Sequence, residues 1–193
     1  MVLGGWENGN GEDGRVSDVE LVRLGSDTDE CDPPDLGNRI WMHESVTTSK
    51  GVLTCGGSPL NAGTVYTNSC KLLTATGELH SFPSMDCKRY QFQMVNINDT
   101  IYAIGGGGTE ATGSIFASGE KSRSGKGSTN TMEIIDVKTE NQWKIEDLPF
   151  TAQAHCVVAI HDKIVVIGGL FGKNTIPYTP YGVRRNIDLY RVD

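Results

Sequence analysis

The chain has 193 residues, with 24 acidic against 17 basic side chains and a formal net charge of −7. This acidic balance argues against a general nucleic-acid or anionic-membrane surface, which needs clustered Lys and Arg, and no apolar run approaches the roughly 20 residues of a membrane-spanning helix. Glycine contributes 24 residues, well above its average usage of roughly 7 %, and with the short apolar runs this excess predicts a turn-rich, all-β protein.

Four glycine pairs divide the chain. Each pair follows a short apolar run, and after a polar loop of variable length another apolar run begins. Recurrence at intervals of about 20 to 50 residues or more indicates a solenoid or a propeller. The pairs are Gly4-Gly5, Gly56-Gly57, Gly105-Gly106 and Gly168-Gly169.

A predicted hairpin precedes the third and fourth glycine pairs. Residues Met94–Gly106 read MVNINDTIYAIGG, and Val157–Gly169 repeat the pattern as VVAIHDKIVVIGG. Apolar runs split by a polar dipeptide such as Asn98-Asp99 are typical of two strands joined by a tight turn.

The apolar runs after the glycine pairs predict a third strand in each repeat, and three of them carry an acid at their second position, namely Glu20, Glu133 and Asp188. Fourth strands are predicted at Leu79–Phe82, at Asn141–Ile145 and near the prolines of 31–36, since proline suits a strand end. The predicted repeats are approximately 1–39, 40–89, 90–154 and 155–193, with three, four, four and three strands. The predicted third strands are Val19–Val22, Cys70–Leu73, Met132–Ile135 and Ile187–Tyr190.

This unit resembles the kelch repeat of β-propellers, in which an apolar run precedes Gly-Gly, an acidic third strand follows, and a Trp lies several residues further on. The best match is Ile101–Pro149, with Gly105-Gly106, Glu133 and Trp143. The resemblance implies a kelch-type propeller segment of about four blades and roughly fourteen antiparallel strands. Because both chain ends already supply a second and a third strand, the ring is expected not to close.

The resemblance also separates structural from binding residues. Glycines at the blade turns are expected to have φ > 0, and Trp143 is expected to pack between blades, as are His43, Phe92 and His155, which align with one another. The residues given a structural role are Gly4, Gly5, Gly56, Gly57, Gly105, Gly106, Gly168, Gly169 and Trp143.

Strand parity places the loops after second strands, and the inter-blade connections, at one end of the blades. Long variable loops on a rigid scaffold are where binding usually occurs. The loop Gly107–Asn130 is either a solvated insertion or a basic arm, in the latter case with Ser122 or Ser124 open to phosphorylation. The candidate partner-binding residues are Lys88, Arg89, Lys121, Arg123, Lys126, Arg184 and Arg185.

The function expected from the resemblance is a non-catalytic protein-interaction scaffold, without cofactor or metal, that grips an acidic peptide motif. Charge reversal at Arg89, Arg184 and Arg185 is expected to weaken capture without changing stability. The alternative is a propeller enzyme, either a copper oxidase resembling galactose oxidase or a sugar epimerase. It receives less weight because the four histidines are scattered and no nucleophile elbow, phosphate loop or HExxH motif is present.

The five cysteines show no metal-ligand spacing. Cys55 takes the place of Ile104 and Ile167 in the sister repeats, so a buried thiol in a reduced, intracellular protein is favoured. The first nine residues, MVLGGWENG, lack the pattern of a signal peptide. A Cys55–Cys70 bridge between neighbouring strands is the alternative, and it would imply an oxidising compartment.

One triplet, Asn98-Asp99-Thr100, fits the acceptor sequence for N-glycosylation. Because it coincides with the predicted hairpin turn, and the sister turn lacks the motif, turn formation is the favoured interpretation.

Overall fold

The computed structural model describes residues 2–6, 15–20, 40–59, 66–108, 127–148, 153–161, 163–169 and 187–191. These residues form strands, turns and connections, and none of them lies in a helix. The described part accordingly contains no helix long and apolar enough to cross a membrane. The strand expected near 31–36 lies outside the described residues.

The described strands form four antiparallel sheets and one short ladder. Sheet one pairs β1 with β2; sheet two has the order β3-β4-β5-β6; sheet three has the order β12-β11-β8-β7; sheet four has the order β13-β14-β15; and β9 pairs with β10. The strands are β1 (Val2–Trp6), β2 (Arg15–Glu20), β3 (Glu44–Thr48), β4 (Gly51–Cys55), β5 (Cys70–Thr74), β6 (Leu79–Phe82), β7 (Gln93–Ile97), β8 (Thr100–Ile104), β9 (Gly107–Gly108), β10 (Gly127–Ser128), β11 (Thr131–Asp136), β12 (Lys144–Asp147), β13 (Cys156–Ile160), β14 (Lys163–Ile167) and β15 (Ile187–Arg191).

The all-β, antiparallel prediction is confirmed, and sheets two, three and four contain the predicted four, four and three strands. One register recurs in all four sheets, because the residue before each glycine pair faces the first residue of the predicted third strand. These facing pairs are Leu3–Val19, Cys55–Cys70, Ile104–Met132 and Ile167–Ile187.

The first repeat differs from the prediction at its glycines. Gly4 and Gly5 lie inside β1, where the register shifts between Leu3 and Gly5, and pairing continues as far as Trp6 with Arg15. The partner strand therefore starts at Arg15, four residues before the predicted Val19. An irregularity in the ladder therefore accommodates this glycine pair within the strand.

The predicted hairpin turns are present. Asn98 and Asp99 join β7 to β8 with φ values of 54° and 66°, and His161, which follows β13, has φ 57°. Two consecutive central residues with positive φ give the type I′ turn, whose twist matches that of the flanking strands. Asparagine and aspartate tolerate this backbone region better than most side chains.

The other three glycine pairs have the positive φ that the sequence predicts, with values from 61° to 100°. They also allow close contact. A Cβ atom added to Gly106 would lie 2.7 Å from Phe92 Cβ, and one added to Gly56 would lie 2.7 Å from the Phe92 ring. Phe92 is thus held between a glycine of its own sheet and a glycine of sheet two.

Sheet three is packed on both faces, which explains why its central strand β8 reads as the continuous apolar run IYAI. Ile101 and Ala103 join the cluster shared with sheet two, whereas Tyr102 and Ile104 join the cluster shared with sheet four. Trp143 belongs to the first cluster and donates its indole N–H to Pro83 O at 2.8 Å.

A second repeated contact links the sheets just before their first strands. Met42, Gln91 and Ala154 occupy equivalent positions and have φ between 51° and 57°. Gln91 N donates to Met42 O at 3.1 Å, and Ala154 N donates to Gln91 O at 2.9 Å. We call this run of bonds the backbone belt.

The favoured prediction for Cys55 is wrong, because Cys55 forms a disulfide bond with Cys70. The two residues face each other on β4 and β5, with their Cα atoms 4.2 Å apart. Gly56 N donates to Ser69 O next to them, so the cysteines occupy a non-hydrogen-bonded pair, where side chains of antiparallel strands lie closest. Among the described cysteines, Cys87 and Cys156 remain thiols.

The glycine contacts predict that Gly106→Ala lowers the free energy of unfolding by about 2–5 kcal/mol, from backbone strain together with overpacking against Phe92. Chemical denaturation measures the change. The matched control is Gly77→Ala, because Gly77 has φ 84° but an added Cβ there would meet no atom within 4 Å. The control should lose only about 1 kcal/mol, and equal losses in both variants would contradict the importance of the close contact.

Candidate functional site

The glycine pairs 56–57, 105–106 and 168–169, the connection 83–92 and the ladder of β9 with β10 lie at one end of the sheets, which we call the loop end. The two-residue hairpin turns lie at the other, which we call the turn end. At the loop end, the connection 83–92 between sheets two and three runs beside segment 66–69. Met85 N donates to Asn68 O at 2.9 Å, and Gly57 N donates to Arg89 O at 2.7 Å. Further along, Tyr90 and Gly107 exchange two backbone hydrogen bonds of 2.9 Å. The connection 83–92 is therefore ordered, and we call it, together with segment 66–69, the floor of the loop end.

Arg89 is the centre of this floor and has no exposed surface. Its Nε donates to Glu133 Oε1 at 2.8 Å, and Nη1 donates to the backbone oxygens of Gly105 and Thr131 at 2.7 and 3.0 Å. Nη2 donates to the Thr131 hydroxyl at 2.8 Å. The planar guanidinium thus joins the connection both to β11 and to the glycine that follows β8.

Glu133 completes the network from the strand β11. Its side chain is also fully buried, and besides Arg89 it accepts hydrogen bonds from the backbone N–H groups of Asp86 and Cys87 at 2.5 and 3.1 Å. Because each charge faces its counter-charge and several further hydrogen-bond partners, the pair avoids the large penalty of an isolated buried charge.

The structure corrects the expectation for Arg89. Its side chain is buried and donates four hydrogen bonds to internal acceptors, so it does not present its charge to a partner at the loop end. Its neighbour Lys88 is exposed. Lys88 also lies against the base of the long loop, because a Cβ added to Gly108 would clash with Lys88 O.

The other predicted binding residues cannot be placed in the same way. Lys121, Arg123 and Lys126, together with Ser122 and Ser124, fall within 109–126, and Arg184 and Arg185 fall within 170–186; all lie outside the described residues. What the structure describes is the base of the first of these loops, where β9 pairs with β10.

Two aromatic residues that sequence reasoning missed also belong to the floor. The rings of Tyr66 and Tyr90 stack with centroids 4.1 Å apart and planes inclined by 16°. Both are buried, and burial, with a smaller contribution from Tyr90, raises the pKa of Tyr66 to about 12. The available signal was that Tyr90 aligns with Trp41 and Gln153, two residues before the aligned positions of Phe92 and its counterparts.

The aligned residues His43, Phe92 and His155 pack against the second glycine of their own pair: a Cβ added to Gly57, Gly106 or Gly169 would lie 2.7–2.9 Å from their Cβ atoms. His155 is buried, and its imidazole faces the backbone of Ile104 without a well-aligned hydrogen bond to any described residue. Burial lowers its pKa to about 4, so the ring is neutral at physiological pH.

Glu44 is a second titratable group that the sequence did not single out. It opens the first strand of sheet two, at the position that Gln93 and Cys156 occupy in sheets three and four. Burial raises the pKa of its carboxyl group to about 7, and Gln93 Nε2 donates to Glu44 Oε2 at 3.1 Å. Near neutral pH this carboxyl is therefore only partly ionised.

The described residues contain no group of three or more His, Cys, Asp or Glu side chains arranged to hold a metal ion. His43 and His155 pack at the loop end, whereas His161 is exposed at the turn end. His80 lies on β6 with Nε2 3.4 Å from Glu78 Oε2. The fold does not bring the four histidines together.

The Arg89–Glu133 network predicts that Arg89→Ala lowers the free energy of unfolding by about 3–5 kcal/mol, since the carboxylate of Glu133 would be left buried without its counter-charge. The matched control is the adjacent, exposed Lys88→Ala, which should change stability by less than about 0.5 kcal/mol. Equal denaturation midpoints for wild type and Arg89→Ala would contradict the structural role.

The neutral ring of His155 predicts a pH effect. The folded-state pKa of His155 is about 4 and lies below the unfolded value of 6.5. The stability that depends on the neutral ring is therefore fully present above pH 6.5, and it is lost as the pH falls towards 4. The variant His155→Phe carries the residue found at the equivalent position 92. Between pH 7 and pH 4 its free energy of unfolding should therefore fall by about 3 kcal/mol less than that of the wild type. Parallel stability curves over this range would refute the assignment.

In comparisons with known proteins, the chain matches no protein-family model and no curated protein.

Proposed function

We propose that this chain is a segment of a kelch-type β-propeller and that it acts as a non-catalytic scaffold for protein interaction. The repeated register supports the propeller. In each of the four sheets the residue before the glycine pair faces the first residue of the next strand. Radial repetition of one sheet is how a propeller is built.

The packing between sheets gives the second line of support. Sheet three contacts sheet two through one face and sheet four through the other, and the backbone belt crosses both junctions in the same direction. Blades stacked around an axis require such equivalent junctions. The Trp143 contact with Pro83 O, which joins sheet three to the connection after sheet two, fits the place of the kelch tryptophan.

The exposed apolar face of sheet four is further evidence that the stack of sheets continues with another sheet. Val158, Ile160 and Ile167 are 38–51 % exposed. Their counterparts in sheet three, Val95, Ile97 and Ile104, pack beneath sheet four. An apolar face of this kind on a β-sheet is normally covered.

The loop end is the proposed partner site, and the observation that carries it is the contrast between Arg89 and Lys88. The buried Arg89 fixes the connection on sheet three, and the same connection presents the exposed Lys88 beside the base of the long loop. Rigid support beneath exposed polar loops is the usual arrangement of a binding surface.

The ligand class follows from the charges that the loops carry. Lys121, Arg123 and Lys126 belong by sequence to the loop whose base lies beside Lys88, and Arg184 and Arg185 belong to the corresponding loop of the last repeat. Lys and Arg side chains form charge-assisted hydrogen bonds with carboxylates. We therefore favour an acidic peptide segment of a protein partner.

The test is binding of an array of Asp- and Glu-rich peptides, with Asn- and Gln-containing counterparts, to the full chain. Reversal of Lys121, Arg123 and Lys126 to Glu should weaken binding of the acidic peptides at least about tenfold, a loss of about 1.4 kcal/mol. The neutral counterparts should bind weakly to both proteins, and binding should fall as salt is added.

The matched control reverses three lysines at the turn end, Lys50, Lys138 and Lys163, and so changes the net charge by the same amount. All three are exposed, and surface ion pairs such as that of Lys50 with Glu140 contribute little to stability. If both triple variants bind equally well, the loop-end site is wrong.

A further inference from the structure

The hairpin turn at the tip of β7 and β8 carries the triplet Asn98-Asp99-Thr100, which fits the acceptor sequence for N-glycosylation. Asn98 is exposed at this turn, and Thr100 begins β8 immediately after it. The motif is therefore at the surface, where a transferase can reach it, and not in a buried strand.

Other side chains hold the turn in place. Asp99 N donates to Asn96 Oδ1 at 2.8 Å, and Asp99 Oδ1 accepts from Ser49 N of the neighbouring hairpin at 2.9 Å. Lys138 Nζ lies 3.5 Å from Asp99 Oδ2. The Asn98 amide takes no part in these bonds, so a group attached to it would leave the turn intact.

A separate observation concerns the compartment. The disulfide between Cys55 and Cys70 is buried, and it sits where the ladder places two side chains face to face. Such bonds form and persist in oxidising compartments and are rare in the cytosol. In eukaryotic cells the endoplasmic reticulum, where structural disulfides form, is also where asparagine receives its glycan.

From these two observations we propose that Asn98 is an N-glycosylation site. The Nδ2 atom of Asn98 forms a bond to C1 of the first sugar of a lipid-diphosphate-linked oligosaccharide. The bond between C1 and the diphosphate oxygen breaks, the lipid diphosphate leaves with the bonding electrons, and the amide gives up one proton. The Thr100 hydroxyl supplies the second element that the transferase reads.

The position of this site separates it from the partner site. Asn98 lies at the turn end, and the five residues of β8 lead from there to Gly105 at the loop end, a distance of roughly 16 Å. A glycan at Asn98 leaves the loop end open. Its presence or absence is thus independent of acidic-peptide binding, and either proposal can fail alone.

The test is expression of the full chain behind a secretion leader in eukaryotic cells, followed by peptide mass spectrometry. We expect glycan on the peptide that contains Asn98, a shift to lower mass with peptide N-glycosidase, and conversion of Asn98 to aspartate at the cleaved position. Asn98→Gln and Thr100→Ala should abolish the shift, whereas Thr100→Ser should retain it.

The sister turn provides a positive control for turn geometry. His161 is exposed with a similar positive φ, so His161→Asn combined with Lys163→Thr builds the same acceptor sequence at the equivalent turn of sheet four. A second glycan is expected there. Absence of glycan at Asn98 in the secreted chain overturns the proposal, whether or not the engineered turn is modified.

Thiol labelling of the same secreted protein tests whether Cys55 and Cys70 form the disulfide bond from which an oxidising compartment is inferred. Alkylation under denaturing conditions should leave Cys55 and Cys70 unlabelled until a reductant is added, whereas Cys87 and Cys156 should label at once. Complete labelling of Cys55 and Cys70 without reductant would show that the disulfide is absent and would overturn the proposal.

Discussion

The close approach of a glycine pair in one sheet to a large side chain of the next is the constraint on which the packing depends. Phe92 lies between Gly106 of its own sheet and Gly56 of sheet two, and an added Cβ on either glycine would lie 2.7 Å from it. Both glycines also have a positive φ, which other L-residues adopt only with strain. Backbone conformation and available space therefore demand the same residue type, and the spacing between sheets follows from it.

The connection between sheets two and three shows how a charge can serve packing. Arg89 and Glu133 are separated by 44 positions in the chain and form an ion pair. Five further hydrogen bonds tie the pair to the backbone and to the Thr131 hydroxyl. Because either partner alone would be a buried charge, the connection and the strand are held together or not at all. The connection is therefore fixed on sheet three, and the backbone of the exposed Lys88, next to Arg89, is fixed with it.

Strand positions were predictable because they depend on short-range patterns. The hairpins, the third strands and the turn at Asn98-Asp99 follow from apolar runs broken by polar dipeptides, and most agree with the structure. Lys88 and Arg89, by contrast, are chemically similar neighbours, and only their long-range partners send one outward and the other into the core. Comparison of the repeats placed Cys55 and Cys70 on neighbouring strands, but it could not decide whether they are two thiols or a disulfide bond. The Tyr66–Tyr90 stack joins a loop to a connection, so no local periodicity reveals it.

The backbone belt gives the sheet array a polarity. At both described junctions the later sheet supplies the N–H group and the earlier sheet the carbonyl oxygen, through residues of the same left-handed conformation. Each sheet thus offers a backbone donor to the sheet before it and a backbone acceptor to the sheet after it. These bonds do not depend on side-chain identity, because the belt residues are Met42, Gln91 and Ala154. A duplicated copy of one sheet carries both halves of this connector, so the array can lengthen by gene duplication without inventing a new joint.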